Sequence, residues 1–212
     1  MRKNEPKEKV NKTIADVHSR VARSFLLKEY LGDCDNASYN AALVLNRVTG
    51  TLRYAPNFDY GESFNKLIKT KIYKQRMSQA ELDALPANAR EFMLQRYEKE
   101  ESETVEDIAR QYAAADISKK NLFYVFDHFP NSTQEFFQNI DKCMQRKAFD
   151  KIVDSYTTMT CDGKPIMTQE EAEMFKDYLD VRATWMMELY IEYLNQQGDN
   201  VEYKLATEGY QF

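Results

Sequence analysis

Three polar residues between positions 35 and 59 have the types and the order that phosphoryl transfer requires. Asp35 and Asn40 stand as D-x-x-x-x-N, and Asp59 opens the D-x-G of Asp59-Tyr60-Gly61. Transfer of a phosphoryl group asks little covalent chemistry of a protein. It needs a carboxylate to orient the attacking hydroxyl and accept its proton, and oxygen ligands for the metal that neutralises the phosphates. Asp35 suits the first task. The Asn40 amide oxygen and the Asp59 carboxylate suit the second, because Mg²⁺ takes hard oxygen donors. Gly61 lets the chain turn away beside such a metal. The plainer alternative is an Asp/Asn-rich loop whose side chains cap the surrounding backbone.

These residues act together only if the elements around them bring positions 35 to 40 next to position 59. The polar N-terminus, residues 1–12, is expected to be flexible, and a helix is expected from about Thr13 to Tyr30. Ile14, Val17, Val21, Phe25 and Leu26 recur along it at spacings of three and four, which predicts one buried face. Gly32 ends it. Beyond Ala41 the pattern changes to an alternation through Leu43 and Leu45, a Thr49-Gly50 turn, and a returning strand from Leu52 to Tyr54 that Pro56 stops. This predicts a short β-hairpin that returns the chain toward Asp59.

The remainder reads as helical. Ser78-x-x-Glu81, Ser132-x-x-Glu135 and Thr168-x-x-Glu171 each match a capping box ahead of an apolar-periodic run. Between the first two boxes, Pro86, the acidic stretch Glu98 to Glu103 and Asp116-Ile117-Ser118 predict a division into three helices. Cys161-Asp162-Gly163-Lys164-Pro165 is a turn. The last helix places Phe175, Tyr178, Leu179, Trp185, Met186, Leu189, Tyr190 and Tyr193 on a broad apolar stripe, which predicts core and leaves Trp185 little room to stack a cofactor. Residues 198–212 form a C-terminal tail.

Composition excludes several functions. With 212 residues, 43% of them hydrophobic, the chain can bury a full core. A formal charge of -5 argues against nucleic-acid binding by this chain, since phosphate neutralisation needs clustered Lys and Arg in excess. No apolar run is long enough to span a bilayer, and no apolar segment follows the charged N-terminus, so a soluble cytoplasmic protein without membrane contact is expected. Cys34, Cys143 and Cys161 are odd in number and widely spaced, and with only His18 and His128 beside them they make a poor zinc set. Cys34 lies between Asp33 and Asp35, whose charge disfavours a thiolate, so neither it nor His18 is expected to be catalytic. An EF-hand counted from Asp33 fails, with Ser38 at the glycine position and Val44 at the twelfth. The basic stretch Lys66 to Arg76 can hold an acidic peptide or a phosphate, or simply form a solvated face.

The order of helix, D-x-x-x-x-N, hairpin, Ala55-Pro56-Asn57-Phe58-Asp59-Tyr60-Gly61 and helical remainder resembles the catalytic lobe of the HipA-type and CtkA-like bacterial serine/threonine kinases. It is more distantly similar to the phosphoinositide-3-kinase-like group. The resemblance covers residues 14 to 64 by motif and the later helices by class. It implies a mainly α, kinase-like C-lobe spanning residues 13–197, with the motif segment in 13–64 and helices in 65–197. It further implies Asp35 as catalytic base, Asn40 and Asp59 as ligands of Mg²⁺ and ATP, and a protein Ser or Thr as phosphate acceptor. The residues between Asp35 and Asn40 include no cation, the glycines form no G-x-G loop, and 34 residues precede Asp35. The expectation is therefore a gene fragment, one half of a two-chain enzyme completed by an N-lobe partner chain, or else an inactive kinase-like scaffold that works by binding protein.

Overall fold

The computed structural model describes residues 5–33, 42–49, 51–55, 62–74, 76–111 and 116–198. The chain opens with helix α1 (Glu5–Leu31), followed by the antiparallel strands β1 (Leu43–Asn46) and β2 (Thr51–Tyr54). A short helix α2 (Asn65–Leu67) runs into a π-helical turn, Ile68–Ile72. Helices α3 (Gln79–Asp83), α4 (Ala87–Ser102), α5 (Val105–Gln111), α6 (Asp116–His128), α7 (Pro130–Gln145) and α8 (Ala148–Thr158) follow. A small hairpin of β3 (Thr160–Cys161) and β4 (Lys164–Pro165) leads to the long helix α9 (Gln169–Gln196). The molecule is mainly α, and no described helix is long and apolar enough to cross a membrane.

The expected hairpin forms, with Leu43 opposite Tyr54 and Leu45 opposite Leu52. Its turn is held by the Asn46 side chain, whose Oδ1 accepts from the backbone of Val48 at 2.9 Å and of Thr49 at 3.1 Å. Two of the expected capping boxes form. Ser78 Oγ accepts from Glu81 N at 3.3 Å while Glu81 Oε2 accepts from Ser78 N at 2.7 Å, and Thr168 and Glu171 exchange the same pair of bonds. The Asp162-Gly163 turn has both residues at positive φ, as a tight two-residue hairpin requires.

Other expectations need correction. Helix α1 starts at Glu5, not near Thr13: Pro6 fits a first turn, Glu5 favours a helix N-terminus, and the Lys and Glu residues that made this stretch look frayed are good helix formers. Its fully buried residues are Ala22, Leu26 and Tyr30, whereas Ile14 and Val21 are exposed, because α7 and α9 pack on a face turned from the one the periodicity marks. Ser132 does not cap. Pro130 takes the first helical position of α7, so Ser132 falls inside the helix, where its hydroxyl bonds Ser19 Oγ at 2.8 Å. The stretch between Ser78 and His128 holds four helices instead of three, because Thr104 and Asp107 make a further box and start α5 just after the acidic run.

The core has two parts joined by α9. Leu26, Tyr30, Leu122, Phe126, Phe137 and Met186 lead one cluster, and Leu67, Ile108, Ala109 and Tyr178 form the other, with Phe64 packed against both. The expected α9 stripe is core, and Trp185 is buried within it. Arg182 stands in the middle of that stripe at 0% exposure. Its guanidinium lies over Trp185, 4.3 Å from the ring centroid, and donates to the carbonyls of Tyr30 at 3.4 Å, of Ala109 at 3.2 Å and of Glu29. Those carbonyls belong to the last turns of α1 and α5, which the helices themselves leave without donors. Burial raises the carboxyl pKa of Glu29, and the nearby Arg182 charge opposes that rise.

Arg182→Met should therefore cost about 3–5 kcal/mol of stability, because a shape-matched apolar chain leaves the carbonyls of Tyr30 and Ala109 without their donor. Arg182→Lys, with one donor group in place of a fork, should fall between. Chemical denaturation of the three proteins checks the order, and a Met variant as stable as the parent would contradict it.

Candidate functional site

The end of α1 is built from four carbonyls, and each has a donor. Gly32 sits at φ +64, and from this left-handed position its N–H donates to Glu29 O at 3.1 Å while Asp33 N–H donates to Lys28 O at 2.9 Å. That pair of bonds is the Schellman closure of a helix. Tyr30 O, together with Glu29 O, takes Arg182, and Leu31 O accepts from Phe64 N at 3.0 Å. A side chain at position 32 would be strained by the backbone angle, and its Cβ would overlap the Tyr178 hydroxyl. Gly32 thus does more than end a helix, since it lets α9 close against the turn.

The Phe64 bond matters because it comes from 33 residues further along the chain. A second tie runs beside it. Ser63 Oγ donates to Asp33 Oδ2 at 3.1 Å, and Lys28 Nζ lies 4.0 Å from Asp33 Oδ1. All three side chains are buried, Asp33 at 4% exposure. Phe64 holds a left-handed backbone at φ 58, which a non-glycine residue sustains only when its surroundings fix it; its ring meets Phe175 and Tyr178 edge-on at 5.1 and 5.5 Å. A further cross-tie closes the hairpin, where Ala55 N donates to Ala42 O at 2.8 Å.

Asp35, Asn40 and Asp59 lie outside the described residues, as does Cys34. What the described residues supply is their brackets. The stretch 34–41, with Asp35 and Asn40, and the stretch 56–61, with Asp59, both run between the same two ties. One is the Asp33–Ser63 pair at the end of α1, and the other is the Ala42–Ala55 pair at the base of the hairpin. Among the described residues no group of three or more His, Cys, Asp and Glu converges as a metal site.

The basic stretch that follows is more structured than a solvated face. Lys71 donates to the carbonyls of Glu100 and Glu101 at 3.0 and 3.3 Å and so caps the C-terminal turn of α4. Arg76 pairs with Glu101 at 2.8 Å, and Lys66 lies 3.8 Å from the buried Glu103. His18 packs edge-on against Phe129, Cys143 is half-buried, and Cys161 is exposed in the small hairpin.

Sequence reasoning singled out the motif residues, which lie outside the described residues, and missed the ones that tie their stretches together. From sequence Asp33 reads as a failed calcium ligand and a charge beside Cys34, whereas its carboxylate is taken by Ser63 and Lys28. The available signal was Gly32 followed by a buried-type turn. Arg182 and Ser63 gave none, since one polar residue in an apolar stripe and one Ser after a D-x-G are common.

Asp33→Ala should destabilise the protein by about 3–5 kcal/mol, because it takes the carboxylate from a buried Lys. Ser63→Ala removes one hydrogen bond to a charged acceptor and should cost about 2 kcal/mol. In a double-mutant cycle the two should be coupled, with the double variant close to Asp33→Ala alone; additive losses would mean that the tie is absent in solution. Comparison of the chain with protein-family models, with curated proteins and with solved structures returns no match.

Proposed function

We propose that this chain is a kinase-like catalytic lobe of the HipA/CtkA kind, which positions Mg²⁺ and ATP for transfer of phosphate to a protein Ser or Thr hydroxyl when an N-lobe completes it. The observation that carries the reading is the double bracketing of the motif stretches. Residues that must act at one point are carried on two strands of chain fastened together at both ends. An Asp/Asn-rich loop that only capped its own backbone would have no need of a buried salt bridge, a left-handed Phe64 and a closed helix end at its foot.

In this reading Asp35 orients the acceptor hydroxyl and takes its proton. The Asn40 amide oxygen and the Asp59 carboxylate are the hard oxygen donors that a small divalent cation favours. Bound Mg²⁺ supplies neutralisation of the phosphate oxygens. Gly61 gives the chain freedom to leave the site before Glu62 and Ser63 return it to α1.

The hairpin also favours a second reading, an inactive kinase-like scaffold that acts by binding a protein partner. Leu43, Val44 and Leu45 of β1 are exposed, and Val48 in the turn is 94% exposed. Among the described residues β1 pairs only with β2, so its outer edge offers backbone groups and apolar side chains to another chain. The two readings separate on ATP.

The 212-residue chain should bind ATP in the presence of Mg²⁺ and lose the metal-dependent part of that affinity by at least about tenfold on Asp59→Ala or Asn40→Ala. Asp35→Ala should leave binding intact and abolish transfer in the presence of the completing lobe. Titration with a fluorescent ATP analogue, with and without Mg²⁺, is the measurement. Equal binding by the parent and Asp59→Ala, or binding by neither, would leave the scaffold reading standing.

A further inference from the structure

The π-helical turn Ile68–Ile72 and helix α4 enclose a cleft of about 600 Å³, which begins at Glu62. Single π turns cost hydrogen-bond geometry and recur at functional sites. Here the widened ladder is explicit, with Tyr73 N donating to Ile68 O at 2.8 Å, five residues back. A helical Thr ordinarily folds its hydroxyl onto a carbonyl of the preceding turn. Thr70 does not. It is 6% exposed and lines the cleft, and its hydroxyl has no hydrogen-bond partner among the described residues.

Beside it Lys69 also lines the cleft, is exposed, and makes no ion pair among the described residues. Its neighbours differ in this respect. Lys66 lies near Glu103 at 3.8 Å, and Arg96 holds Glu100 at 2.7 Å, so the carboxylate of Glu100 on the cleft wall is already answered. Glu62 is the remaining acid on the wall. The cleft thus presents at the π turn an ammonium and a solvent-accessible hydroxyl, which suit a compact, doubly charged acceptor with several oxygens.

We propose that this cleft binds a phosphoryl group, with Lys69 and Thr70 as its direct donors and Lys66 and Arg96 as flanking charges. The group is carried on a phosphorylated peptide or present as the free anion. Neither source requires Mg²⁺ or ATP, so the site stands apart from the bracketed motif, and failure of one leaves the other untouched.

The test titrates three probes into the full 212-residue chain without metal or nucleotide: inorganic phosphate, a serine-phosphorylated peptide, and the same peptide unphosphorylated. The phosphorylated peptide should bind at least about tenfold more tightly than its twin, and Lys69→Glu should lose that advantage, since a charge-assisted hydrogen bond contributes on this scale. Thr70→Val, which keeps the side chain's shape, should weaken binding by a smaller factor. Lys69 is exposed, so its variant folds even if a buried substitution at Thr70 does not. Lys69-dependent saturation by inorganic phosphate assigns the free anion as sufficient, and saturation by the phosphopeptide alone assigns the peptide source. Equal binding of both peptides without phosphate saturation, no binding of any probe, or binding unchanged by Lys69→Glu would overturn the proposal.

Discussion

The C-terminus of α1 is the constraint on which the rest of the structure depends. A helix leaves its last four carbonyls without internal donors, and burying that end demands a donor for each. Here they come from three separate parts of the chain. The local turn at Gly32 and Asp33 supplies two, α9 supplies the Arg182 guanidinium, and the chain returning at Phe64 supplies the last. Arg182 extends the same service to Ala109 in α5, so a single side chain joins the ends of two helices to a third. The two core clusters meet at this point, with Phe64 packed against both.

Much of the architecture was legible because local chemistry decides it. The hairpin is written in alternation and in a turn that Asn46 stabilises, and the boxes at Ser78 and Thr168 need only a hydroxyl and a carboxylate three residues apart. The box at Ser132 fails for an equally local reason, since a proline two residues earlier outbids it for the helix start. Long-range packing was not legible. The face that α1 buries depends on where α7 and α9 arrive, and apolar residues such as Ile14 and Val21 satisfy a helical period without being covered.

The same division holds at the candidate site. Asp35, Asn40 and Asp59 stand out in the sequence by type and order, and they lie outside the described residues. The ties beside their stretches do not stand out, because a buried Asp33 and a buried Arg182 acquire meaning from partners as far as 30 and about 150 residues away. Charged residues are rarely buried unless paired, so each such burial is a stronger signal in the structure than any of them is in the sequence.

Electrostatics connects that foot to the motif it carries. The end of α1 has a partial negative charge, and Asp33 adds a full one. Lys28 and Arg182 offset both from within the core, where solvent screening is weak. A segment leaving this point with Asp35 and returning with Asp59 would bring two more carboxylates toward a region whose buried cations are already engaged. On the reading we propose, the positive charge needed between Asp35 and Asn40, where no basic residue stands, is that of the metal.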